Sequence, residues 1–227
     1  MPTTRTTRSD ESMAAELRGF GPLGIAAILL IFLGNALVRP LSAVLVLVWA
    51  GWSRTPWHEI GYVKPKSWPG AVLVGLGFGV ALKFLMKSIV MPLLGAPPIN
   101  PAYHYLAGNQ AALAGAIYMM IAGAGFGEET VFRGFVFERL GKLLGSGGRA
   151  RTFIVLISAL FFGLLHYPDQ GLAGVEQATI TGLIFGTIFA FTGRLVMLMV
   201  AHAAFDLVAV AMIYWDVEAA VAHLVFK

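Results

Sequence analysis

The sequence predicts an all-α, polytopic transmembrane bundle of seven to eight helices. Three observations point there. The chain of 227 residues is 58% hydrophobic and 12% charged, against about 25% charged in a soluble domain. Its apolar residues gather into long runs separated by short polar loops, the pattern of a chain that crosses a bilayer repeatedly. Its basic residues sit in alternate loops rather than spreading evenly. There is no cysteine, which removes disulfides, thiolate catalysis and Cys-ligated zinc. No basic face with interleaved aromatics is present, so nucleic acid is not an expected partner.

The elements follow in order. Residues 1–19 are polar and read as a loose cytoplasmic tail. Acids and a long leading region argue against a cleaved signal peptide. Apolar segments are expected at about 21–38, 41–53, 69–94, 110–137, 151–167, 174–193 and 195–215, forming one unit over 20–227. The first two are short and meet at Arg39-Pro40, which reads as a tight hairpin. The last stretch, 217–226, is too short to span comfortably and reads as a partial or peripheral helix. With the N-terminus inside a cell membrane, the inner segments hold Arg5, Arg8, Arg18, Arg54, Lys64, Lys66, Arg139, Lys142, Arg149, Arg151 and Arg194. The outer ones hold Arg39, plus Lys227 if the last segment does not cross back. The outer loop 95–109 has no Lys or Arg. Glycines recur in the spans (Gly75, Gly77, Gly79; Gly123, Gly125, Gly127; Gly182, Gly186) and predict close helix packing.

The candidate site is a set of polar residues inside these spans. Glu128 and Glu129 follow an uncharged run, and carboxylates in a bilayer are costly unless they pair or do chemistry. Glu129 and Arg133, four apart, share a helix face and can pair; Glu128 points about 100° away. A bare cytoplasmic helix end would explain Arg133 better than two neighbouring acids. His166 ends Phe162-Gly163-Leu164-Leu165-His166. His202 and Asp206 are four apart, so the carboxylate can orient the imidazole. Glu128 lies 17 residues before Gly145, the centre of a basic loop, and His166 lies 21 after it. The two therefore come to similar depth on antiparallel helices. His202, eight residues past the inner Arg194, starts from that same side and can reach a site in the inner half of the membrane.

Such a site can hydrolyse an amide without a covalent intermediate. A carboxylate takes a proton from water, a histidine orients that water and serves the leaving amine, and a second imidazole donates to the oxyanion. No Gly-x-Ser-x-Gly elbow is present. Two alternatives use the same residues. Glu128, His166 and His202 could be a His-His-Glu zinc set, although no His-Glu-x-x-His helix exists. A transporter or non-catalytic scaffold is the other, without a visible inverted repeat.

Glu128-Glu129-x-x-x-Arg133, Phe162-x-x-x-His166 and His202-x-x-x-Asp206, in that order over about residues 60–215, resemble the three motifs of the CAAX-processing and bacteriocin-processing enzymes. These are the intramembrane glutamic endopeptidases of the CPBP, or Abi, family. The resemblance implies an endopeptidase acting on a membrane-associated or lipid-modified protein or peptide, with no cofactor. It implies that Glu128 and His166 activate water, that His202 with residue 206 binds the oxyanion, and that Glu129 and Arg133 support Glu128 and position substrate. Many relatives carry Asn at 206. Asp206 cannot donate when ionised, so it is expected to be protonated or to orient His202.

Overall fold

The computed structural model describes residues 8–37 and 40–226. Among these the chain is helical and has no strand. Helix α1 is Arg8–Arg18, α2 is Pro22–Leu37 and α3 is Leu41–Trp52. Four longer helices follow: α4, Trp68–Leu93; α5, Gln110–Leu144; then, after α6 (Gly148–Leu164), α7, Tyr167–Thr192, and α8, Val196–Tyr214. A short α9, Glu218–Ala222, closes the described chain.

The expected loose tail is partly a helix. In α1, Asp10 and Glu11 lie in the first turn and Arg18 in the last, each charge matched to its end of the helix dipole. The helix is docked. Trp49 Nε1–H donates to the Leu17 carbonyl at 3.0 Å, and Arg139 donates to the Arg18 carbonyl at 2.8 Å. The predicted hairpin residue Arg39 lies outside the described residues, but α2 and α3 pack together on either side of it. Ser42 Oγ–H donates to the Ile31 carbonyl.

α4, α5, α7 and α8 are each long and apolar enough to cross a membrane. The bent pair Asp10–Arg18 and Pro22–Gly34, at 62°, makes a fifth if it forms one span. The chain is thus a multi-pass membrane protein. α2, α3 and α6, with 16, 12 and 17 residues, fall short of the ~20 that cross unaided. Large apolar side chains such as Leu30, Leu33, Leu73, Val74 and Leu160 stay exposed, as helices facing lipid require.

Local chemistry sets the ends. Ser67 caps α4 by accepting from the Gly70 N–H at 3.1 Å, with Pro69 in the first turn. Asn109 caps α5 through the Ala112 N–H. Gly193 ends α7 at φ 61°, the left-handed conformation glycine adopts without strain. Over Met119–Val136, α5 winds as a wide i→i+5 helix. Such π turns concentrate at functional sites.

Small residues bring α4 against α8. A Cβ on Gly79 would lie 2.1 Å from the Ala201 carbonyl oxygen, and one on Gly75 would lie 2.8 Å from that of Met197. Two apolar clusters flank the centre. One joins Val46, Trp49, Ile60, Val131, Phe132, Phe135 and Phe162; the other joins Leu82, Met86, Phe185, Phe189, Leu195, Leu198 and Phe205. The polar residues of α5 and α8 lie between them.

Candidate active site

Glu129 and Arg133 form a buried ion pair on α5, with Arg133 Nη1 donating to Glu129 Oε1 at 2.8 Å. Their side chains are 0% and 1% exposed. The guanidinium also lies over the rings of Phe162 and Phe185, 4.8 and 5.6 Å from their centroids. Aromatic faces stabilise a cation that lipid would not. The same Glu129 Oε1 lies 2.7 Å from His202 Nδ1. One carboxylate oxygen therefore joins Arg133 on its own helix to His202 on α8.

That bond fixes the ring. Its other edge, Nε2, is 3.7 Å from Glu128 Oε2 and 3.6 Å from Asp206 Oδ2. These are ion-pair separations, too long for direct hydrogen bonds. The residue that holds the imidazole is Glu129, where the sequence pointed to Asp206. The i,i+4 relation of His202 and Asp206 is present, but Asp206 faces the free nitrogen. Glu129, expected with Arg133 to support Glu128, bonds both Arg133 and His202.

His166 lies in the tight α6–α7 junction rather than in a continuing helix. Its Nδ1 is 2.9 Å from the Phe162 carbonyl and its ring is 4.7 Å from the Phe162 ring. If Nδ1–H donates there, Nε2 is left as a proton acceptor. Glu128, His166, His202 and Asp206 all line one cavity of about 550 Å³. Glu128 is 14% exposed, so the first acid of the pair faces the cavity while the second is sealed beneath it. The structure brings together all six residues singled out in the sequence, four on the cavity and two under it.

The cavity also contains residues that sequence reasoning passed over. Lys83 Nζ is 3.3 Å from Gln177 Oε1 and 4.6 Å from the centroid of Phe205. Lys87 pairs with Glu218 at 2.9 Å, and Glu218 also accepts from the Asn100 N–H. That carboxylate ties α9 and the 95–109 loop over the cavity. The signal was available: two lysines four apart inside an otherwise apolar segment. Among the described residues, no three His, Cys, Asp or Glu side chains are arranged to hold a metal ion.

One further bond ties the site to the 53–67 loop. Thr130 Oγ1–H donates to the Phe126 carbonyl at 2.7 Å, leaving the Tyr62 hydroxyl to donate to Thr130 Oγ1, also at 2.7 Å. Burial raises the Tyr62 pKa above its ordinary value, with the bond to Thr130 opposing it.

A helical membrane bundle with paired acids, two histidines and a cavity at their level has the make-up of an intramembrane hydrolase. Residues 110–208 match the family described as Type II CAAX prenyl endopeptidase Rce1-like. That stretch holds all three motifs, and the match agrees with the resemblance they carry. Residues 110–208, somewhat under half of the chain, are thus similar to a family that acts on protein substrates at membranes. Neither a curated protein nor a solved structure matches the chain.

Proposed function

We propose that the chain is an intramembrane glutamic-type endopeptidase of the cell membrane, with its N-terminus in the cytoplasm. It cleaves a peptide bond of a membrane-associated protein or peptide. The observation that carries this reading is the division of labour between the two acids. Glu129 is sealed against Arg133 and His202, while Glu128 shares the cavity with His166, His202 and Asp206.

In this reading a water lies between Glu128 and His166. Glu128 takes its proton as the oxygen attacks the scissile carbonyl. His202, its Nδ1–H donated to Glu129, presents Nε2 to the developing oxyanion, and donates from that edge when the ring is doubly protonated. Arg133 pairs with Glu129 and holds it in place. The proton gained by Glu128 passes to the leaving amine as the C–N bond breaks, which closes the balance. The cavity of about 550 Å³ holds a few residues of extended peptide rather than a folded domain.

The test is cleavage by purified protein in lipid, with termini mapped by mass spectrometry against membranes of cells carrying Glu128→Gln. Glu128→Gln keeps the shape and removes the base, so turnover falls by roughly 10²–10⁴. His166→Ala is expected to be comparably damaging. Wild-type rates in both, with unchanged thermal midpoints, refute the assignment. The zinc reading has its own check. A metal-free site keeps its rate after exhaustive chelation, whereas loss on chelation with recovery on adding zinc assigns the reaction to a metal.

A further inference from the structure

We infer that the catalytic cavity opens on the extracytoplasmic face of the membrane, so that the substrate is a polypeptide segment exposed there. This rests on the protease reading for the word substrate; the sidedness of the cavity stands without it.

The inference comes from putting the charge pattern onto the fold. The loops rich in Lys and Arg are 53–67, 139–151 and the turn at Arg194. The structure brings them to one end of the bundle. Leu195 N–H donates to the Gly61 carbonyl at 3.0 Å, Arg18 pairs with Glu59 at 3.6 Å, and Arg139 reaches the Arg18 carbonyl. One basic end is the arrangement that retains short loops in the cytoplasm.

The cavity belongs to the other end. Its walls include Pro97, Asn100 and Tyr105 of the 95–109 loop, His166 and Asp169 around the α6–α7 junction, and Glu218 of α9. The 95–109 loop, the junction and residues 215–226 contain no Lys or Arg, while Asp169, Asp216 and Glu218 are acidic. Arg39 and Lys227 lie outside the described residues; the cavity-lining Lys83 and Lys87 belong to α4, and Lys87 is paired with Glu218. No residue of the basic loops lines the cavity. Between the site and the basic end lie the packed side chains of Ile60, Phe135, Phe185, Phe189, Leu195 and Leu198, all buried. The route from the catalytic carboxylate to water therefore runs away from the basic end. A polypeptide held at the cytoplasmic leaflet does not reach Glu128; one exposed on the opposite face does.

The absence of native cysteine makes a clean test possible in the full chain. Single cysteines are placed at Leu144→Cys and Gly147→Cys in the basic end, and at Tyr105→Cys and Val225→Cys at the cavity end. Intact cells are treated with a membrane-impermeant maleimide, then lysed and compared with cells labelled after lysis. The expected result is full labelling of Tyr105→Cys and Val225→Cys in intact cells, and labelling of Leu144→Cys and Gly147→Cys only after lysis. A fifth variant, Ala173→Cys in the cavity wall, is expected to label from the same side as Tyr105→Cys. The reverse pattern, equal labelling of both ends, or labelling of Ala173→Cys only after lysis overturns the inference. None of these readouts requires turnover, so a failed protease assignment and a failed sidedness are told apart.

Discussion

The contact of α4 with α8 next to His202 can be loosened by a single methyl group. Gly79 meets the Ala201 carbonyl so closely that a Cβ there would lie 2.1 Å from the oxygen and 2.9 Å from the Ala204 Cβ. Ordinary contact begins near 3.4 Å, and the nearest atom is backbone, which cannot rotate away. Gly79→Ala must therefore push α4 and α8 apart by roughly 1 Å, and a shift of that size beside His202 of the proposed site is expected to cost on the order of 10² in rate. Overpacking costs about 1–3 kcal/mol. For a chain of this length that lowers the thermal midpoint by roughly 2–12 °C. Gly77, two residues away on the same helix, has nothing within 4 Å of its would-be Cβ. Gly77→Ala changes helix propensity by at most about 1 kcal/mol, in the favourable direction, and is expected to leave cleavage intact. The assay is a paired melt and cleavage rate in the same lipid. Equal midpoints and equal rates for the two variants would refute the reasoning, because they differ only in what the methyl meets.

Two other perturbations probe different links. Glu129→Gln leaves Arg133 buried without its charge partner, at a cost of about 3–5 kcal/mol. Glu129→Gln/Arg133→Met is expected to regain much of the midpoint but not the rate, since His202 has lost its anionic acceptor; recovery of both would reduce the pair to packing. Tyr62→Phe removes a buried hydrogen bond worth about 1 kcal/mol. The raised Tyr62 pKa carries a sign: the folded state keeps the phenol protonated after the unfolded state has lost its proton. Stability therefore falls as pH rises past the ordinary phenol value of 10.0, until the higher folded value is reached. Tyr62→Phe should flatten that part of the pH–stability curve, and identical slopes above pH 10.0 in both proteins would contradict it.

The helical class and the order of the motifs were legible because lipid leaves strong marks on a chain. Runs of apolar residues and the Glu129–Arg133 spacing carry local information, and Gly75, Gly79, Gly125 and Gly182 sit at helix contacts as expected, while Gly77 faces open space. What the sequence left open depended on which helices touch. Spacing placed Asp206 on the face of His202, but only the docking of α5 on α8 decides that Glu129 takes Nδ1 and leaves Asp206 to Nε2. The α6–α7 junction at His166 was read as helix because Leu164, Leu165 and Tyr167 are apolar, and apolar residues mark burial in lipid as readily as they mark a helix. The tail looked loose because α1 is polar by composition; its fastening comes from Trp49 and Arg139, far away in the chain. The Glu218 bond over the cavity was hidden for the same reason.

The ion pair on α5 also bears on how the chain is made. Charged side chains at the centre of an inserting helix cost about 2.5–3.5 kcal/mol each for Asp, Lys or Arg. α5 must enter the bilayer carrying Glu128, Glu129 and Arg133 before α8 has been synthesised. Because Glu129 and Arg133 neutralise each other four residues apart on one helix, two of the three charges need no later partner. Glu128 takes no part in that pair; the side chain it ends near, His202 at 3.7 Å, arrives with the last long helix. The chain is thus translated and inserted with its support already paired, and the one acid left over is the one on which the proposed reaction depends.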